Sequence, residues 1–337
     1  MPHRVLILVF AVMSAAAMAQ VSTPNWENTG PEVTAICKRV EHRKPPAADR
    51  PTAAQARALK GCNSEKLYYG EGVKPDYVRA RQCAFVEAQG GDAPVFGGET
   101  ILMQIYANGY GVHRDLDLAT AYACRIDAAP MVNELQISDL QSLKAKPDHF
   151  DYCDSMTSGL AMGQCAGRDS NRAAAVRDVR IGALVAKLPP GARPLYPAMK
   201  KSFDAFVEAH GEGEVDLSGT ARAAEEIGEQ DSVRDQFLLD LGRLISGRWP
   251  AGTAPDARAA DALLNASYRK ALIGSAAKDN LTTIKSDDIR KTQRLWLSYR
   301  DAYVRFAAAA AHTTSGDAVL ARLSRLRAAQ LDQMLSE

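Results

Sequence analysis

The chain has 337 residues, 46 % of them hydrophobic, which is enough for two compact parts or one elongated array. Its 41 Lys and Arg nearly cancel 40 Asp and Glu, so no global field draws it to nucleic acid or to an anionic membrane. None of the six cysteines forms a CxxC pair, which leaves zinc-finger and thioredoxin-type readings without support.

The chain opens MPHRVLILVFAVMSAAAMAQ. A basic start (His3, Arg4), an apolar run from Val5 to Met13 and the Ala17-Met18-Ala19 triplet predict a secretory signal peptide over residues 1–19. The run is too short for a bilayer anchor. Loss of Arg4 on cleavage brings acidic and basic side chains level. All six cysteines, Cys37, Cys62, Cys83, Cys124, Cys153 and Cys165, follow the predicted cleavage point, and an even count there predicts disulfides in an oxidising compartment. The expected location is periplasmic or secreted, without membrane insertion after cleavage.

Beyond residue 20, apolar residues recur every three or four positions and period-two runs are nearly absent. The fold class read from this is all-α: a short α/α helical-repeat module over 20–148 followed by a helical-bundle domain over 149–337. Pro and Gly cluster at 44–51, 70–75, 90–98, 189–197, 211–219 and 247–255, the expected turns and linkers. Within the first part, "LYYGEGVKPDYVRA" at 67–80 and "IYANGYGVHRDLDLA" at 105–119 align on a shift of 39 residues. Gly70 and Gly109, Gly72 and Gly111, Asp76 and Asp115, and Ala80 and Ala119 superpose in this register. Glycines here allow a sharp turn at positive φ, and each Asp is placed to cap the following helix. The pattern resembles the Sel-one-like repeat, a relative of the tetratricopeptide helix pair. It implies two helical hairpins over roughly 55–128, with 130–143 as a capping helix, and an adaptor or scaffold role. On spacing alone the pairing of the first four cysteines stays open between Cys62–Cys83 across a hairpin and Cys37–Cys62 with Cys83–Cys124.

From residue 151 the character changes. The positions Cys153, Met162 and Cys165; Leu264, Asn265 and Tyr268; Gln293, Trp296, Tyr299, Arg300 and Asp301; and Arg327 and Leu331 follow in order. This succession resembles the lysozyme-inhibitor family typified by LprI, with a long insertion between the Cys pair and Leu264. Two further family cysteines align near Val304 and Val319, both apolar here. Their joint absence implies that they normally pair with each other, and hence that Cys153 pairs with Cys165. The insertion carries Tyr196, Met199, Phe203, Phe206 and His210 at the spacing that Trp296, Tyr299, Tyr303, Phe306 and Ala310 show one hundred residues later. That fits either a degenerate tandem, with sub-copies at 166–247 and 258–335, or the ordinary recurrence of helical spacing.

In the segment "KTQRLWLSYRDAYVRFA" at 291–307, Trp296, Tyr299, Tyr303 and Phe306 lie on one face with Ile289 and Thr292. That face reads as structural core. Ser286 is the expected helix cap, with Asp287 and Asp288 in the first turn. Arg300 and Asp301 lie off the stripe; with Gln293 they are the binding candidates, against the plainer reading of a solvated ion pair. No catalytic constellation is legible. The histidines at 42, 113, 149, 210 and 312 show no ligand spacing, there is no Gly-x-Ser-x-Gly elbow or phosphate loop, and "HGEGEVDLSG" at 210–219 lacks the alternating ligands of a calcium loop. No enzyme activity, metal or cofactor is expected. The resemblance implies a protein partner, either a lysozyme-type enzyme or an envelope protein.

Overall fold

The computed structural model describes residues 29–90, 96–146, 148–278 and 281–334; the predicted signal peptide lies outside them. Among the described residues the chain is all-α, with no strand. Two hydrophobic cores divide it, and one long helix belongs to both.

The first core is built from short helices: α1 (Pro31–Val40), α2 (Ala53–Ala58), α3 (Ser64–Tyr69), α4 (Tyr77–Gly90), α5 (Glu99–Asn108), α6 (Leu116–Ala123) and α7 (Pro130–Ala145). Helix α5 is apolar nearly all round and every residue from Thr100 to Ala107 is buried, which places it at the centre. The α3–α4 and α5–α6 hairpins turn in the same way. Gly70 ends α3 at φ 77° and Gly109 ends α5 at φ 71°, and each donates its N–H to the carbonyl four residues back, of Lys66 and Ile105. Asp76 and Asp115 donate their N–H to the carbonyls of Leu67 and Tyr106 and accept, through their side chains, from the backbone of Arg79 and Leu118. Gly72 and Gly111 complete the turns at φ 69°. A Cβ on Gly70 would strike the Pro75 ring, and one on Gly109 would press on Arg114.

Three disulfides tie this part together. Cys37–Cys124 joins α1 to the end of α6, Cys62–Cys83 joins the start of the first hairpin to α4, and Cys153–Cys165 closes a short loop. Packing of α1 on α6 decides between the two pairings that spacing had left open.

The second part consists of α8 (Gly159–Val185), α9 (Tyr196–Gly213), α10 (Arg222–Ile245), α11 (Ala254–Ala277), α12 (Ser286–Ala310) and α13 (Gly316–Gln333). They fall into two three-helix units arranged alike. In each unit the outer helices run parallel and in close contact, α8 with α10 and α11 with α13. Glycines permit the approach: Gly159 and Gly163 lie against Thr220 and Ala223 at the start of α10, and Gly252 lies against Ala318. The middle helices α9 and α12 pack antiparallel across the unit boundary: Thr292 donates to the Ala209 carbonyl at 3.0 Å, and the rings of Phe206 and Tyr299 stack at 6.0 Å.

Two expectations about local structure need correction. The Pro/Gly cluster at 211–219 was expected as a turn; the turn occupies 214–219, and α9 runs on to Gly213. Gly211 and Gly213 are buried there because Gln230 and Asp288 pack where a Cβ would stand. Ser286 does not cap α12; the cap position is Lys285, and the Ser286 hydroxyl instead meets Ser275 of α11 at 2.8 Å. Asp287 and Asp288 do lie in the first turn.

Helix α8 welds the halves. Its first turns, with Ala161 and Cys165, join Phe150 and Tyr152 in the first core, while Ile181, Leu184 and Val185 pack on the second. The buried Arg168 guanidinium lies 3.9 Å from the centre of the Tyr69 ring and 3.5 Å from Asp151. The segment 149–165, expected with the C-terminal domain, thus packs with the N-terminal helices.

Candidate functional site

The 3.6-residue stripe of α12 decides what its aromatics do. Trp296, Tyr299, Tyr303 and Phe306 are between 0 and 5 % exposed; Tyr299 packs on Phe203 and Phe206, Tyr303 on Phe237, and Phe306 on Tyr196. Burial pushes the Tyr299 and Tyr303 hydroxyls well above the ordinary phenol range. These rings are the seam between the two units.

The binding candidates do not gather in one place. Arg300 is on the surface side of α12. Its Nε donates to Asp301 at 2.9 Å, its guanidinium lies 5.4 Å from the Trp296 ring, and Asp261 of α11 stands 4.0 Å away. Gln293 is nearly buried, and its amide oxygen accepts from Nε of Arg327 at 3.0 Å.

Arg327 is the centre of a buried polar cluster. It is 0 % exposed and holds Glu214 through two parallel bonds of 2.7 and 2.5 Å. Glu214 also meets Nδ1 of His210 at 2.8 Å, and Nε2 of His210 faces Glu229 at 3.9 Å. Four helices therefore converge on one network: α13 gives Arg327, α12 Gln293, α9 His210 (with Glu214 at its C-terminus) and α10 Glu229. Burial raises the Glu214 carboxyl, but Arg327 and His210 outweigh it and hold the group below its ordinary value. Burial disfavours charge on His210, yet Glu214 and Glu229 outweigh it and raise its pKa. The nearby His210 imidazole holds Glu229 low. The sequence signal for this cluster was the His-x-x-x-Glu pair at one-turn spacing continuing the α9 stripe, hidden by the glycines between.

Above the cluster, α10 and α13 do not pack closely. A cleft of about 660 Å³ opens between them, floored by Phe203, Phe206, Phe237, Trp296 and Tyr299 and closing over Arg327. Glu229, Asp231, Asp235 and Asp240 line it. The cations that pair with the last three, Arg177, Arg234, Arg243 and Arg322, are not part of the lining. Arg322 on Asp240 at 2.7 Å bridges α13 to α10. The cleft thus offers carboxylate oxygen over an aromatic floor, a combination suited to a basic or aromatic side chain of a macromolecule.

The one close group of potential metal ligands among the described residues, Cys62, Cys83 and Glu87, lies in the first core, and its two sulfurs form a disulfide. No helix of the described residues is long and apolar enough to cross a membrane.

Residues 253–331 match the family described as "Lysozyme inhibitor LprI". The match covers α11, α12 and most of α13, and therefore contains Gln293, Trp296, Tyr299, Arg300, Asp301 and Arg327. No curated protein and no solved structure matches the chain. The matched unit is similar to that family, and α9 and α10, which complete its cleft, lie outside the match.

Proposed function

We propose that this is an exported protein that acts by binding another protein outside the cytoplasm, and that its partner is a lysozyme-type muramidase which it inhibits. The observation that carries the reading is the match of 253–331 to the LprI family. Three disulfides support an oxidising compartment, and the predicted signal peptide supplies the route.

The chemistry of inhibition follows from the enzyme's side. Muramidases of this type work with a pair of carboxyl groups flanking the scissile bond. A protein inhibitor disables them by directing cationic donors at them. Arg300 is the donor on the matched unit, oriented by Asp301; Gln293 acts from within by holding Arg327 under the cleft. The cleft itself anchors a basic or aromatic side chain from the enzyme surface. The domains of this reading are a Sel-one-like module at 20–148 and an LprI-like domain at 149–337 whose leading segment, 149–165, packs back on the module; the rest is a degenerate tandem with sub-copies at 166–247 and 258–335. The like arrangement of the two three-helix units supports the tandem.

A second reading is an envelope adaptor working through its helical hairpins. It is favoured by the identical construction of the Gly70–Asp76 and Gly109–Asp115 turns. Titration of a lysozyme with the full-length protein separates the two. An inhibitor abolishes activity near one equivalent and weakens at least tenfold as Arg300→Ala with Asp301→Ala. Full lysozyme activity at micromolar excess discards inhibition in favour of the adaptor.

A further inference from the structure

Beside the cleft, and sharing Leu239 with it, lies a second groove of opposite polarity. It runs between the C-terminal halves of the parallel helices α8 and α10, with a volume of about 560 Å³. Its floor is Ala183, Leu184, Leu238, Leu239 and Gly242. Arg180 and Lys187 on one bank and Arg243 and Arg248 on the other are its only charged lining residues.

Four cations around an apolar floor need a reason, and the ordinary one is neutralisation of helix C-termini. Here that task is met by other groups. Arg193 donates to the carbonyls of Leu188 and Ala186 just beyond α8. The end of α10 is closed by its own backbone: Gly247, at φ 67°, donates to Leu244 and Arg248 N–H donates to Arg243, a Schellman turn. The side chains of Arg180 and Lys187 are exposed and have no polar partner among the described residues. Arg243 shares Asp240 with Arg322, which lies nearer, at 2.7 against 3.0 Å. The floor is also unsatisfied: Leu239 is 56 % exposed.

The geometry points to this groove as a docking site for an acidic amphipathic helix of a partner protein, its leucine-type side chains on Leu184, Leu238 and Leu239 and its carboxylates on the four cations. Charge complementarity selects the occupant's sign. Shape selects its class: the apolar atoms lie at the bottom of a concavity with long basic side chains on both banks, so a rod enters where a flat bilayer meets the cations first. From Arg180 to Lys187 the bank rises about 10 Å, two turns of a bound helix, which fits the helix-in-groove mode of recognition. This site is separate from the matched unit and stands whether or not a muramidase is the partner.

The probe is a fluorescein-labelled helical peptide with Leu at i, i+4 and i+7 flanked by Glu, and a twin with Lys for Glu, followed by anisotropy on the full-length protein. The Glu peptide is expected to bind and to weaken as salt rises. Arg180→Glu with Lys187→Glu, two exposed positions whose exchange leaves the melting temperature in place, should weaken it at least tenfold and create binding of the Lys peptide. Leu239→Ser should weaken both pairings with the charges untouched. No binding of the Glu peptide at millimolar concentration, or binding indifferent to the charge reversal, overturns the proposal. Reversal-sensitive sedimentation with anionic phospholipid vesicles, without peptide binding, overturns it in favour of a membrane surface.

Discussion

The two cores reach stability by different physics. The first packs short helices of 6 to 16 residues around α5 and is crossed by all three disulfides. The second uses helices of 18 to 27 residues, contains no cysteine after Cys165, and holds its two units together with an aromatic seam, the buried Arg327 network and the Arg322–Asp240 bridge. Short helices bury little apolar surface each, so cross-links that restrict the unfolded chain matter more there. Long amphipathic helices bury continuous stripes, worth about 25 cal/mol per Å² of apolar surface, and need no covalent help.

The largest expected effect tests the first half of that contrast. Replacing Cys37 and Cys124 by Ser opens a loop spanning 87 residues, at a cost of about 4–5 kcal/mol in the chain-entropy description. Hydrogen exchange should show lost protection in α1, α5 and α6 while α12 and α13 keep theirs. Uniform loss across both cores would show that α8 couples them into one cooperative unit.

Next in size, Arg327→Met leaves the Glu214 carboxylate buried without its partner, and removal of one member of a buried pair costs about 3–5 kcal/mol. Adding Glu214→Gln should recover much of that in urea melts, because an unpaired charge is then no longer enclosed. The pH dependence has two arms. The raised His210 pKa contributes stability that is full below the unfolded histidine value and is lost as pH rises through the folded one. The lowered Glu214 pKa contributes stability present above the unfolded carboxylate value and lost as pH falls through the folded one. His210→Asn should remove the alkaline arm and spare the acidic one; disappearance of both would mean that the histidine is needed to keep the pair assembled.

Smaller effects are expected at the repeated turns. Gly70→Ala forces a Cβ into the left-handed region and against Pro75, about 1–2 kcal/mol. Asp115→Ala removes the cap on α6, about 1 kcal/mol. Both should lower the melting of the first core alone.

Much of this was legible from residue types. The helical periodicity and the stripe at Ile289, Thr292, Trp296, Tyr299, Tyr303 and Phe306 could be read along one helix, because a face repeats every 3.6 residues whatever it packs against. Gln293 shows where such reading stops. It was a binding candidate, yet it is nearly buried and Arg327 of α13 engages it. The Pro/Gly rule failed at 211–213 for a related reason: a glycine marks a turn when nothing approaches it, and a close helix crossing when Gln230 or Asp288 does.

Local sequence by itself determined that this chain is helical, where its hairpins turn and which faces are apolar, since those properties depend on a residue and its neighbours within about one turn. Tertiary structure alone decided the pairing of Cys37 with Cys124, the enclosure of Arg327 with Glu214 and His210, and the opposite polarity of the two adjoining grooves along α10. Each of those joins helices far apart in the chain, and burial, which sets both the charge state and the exposure of a side chain, exists only once the helices have met.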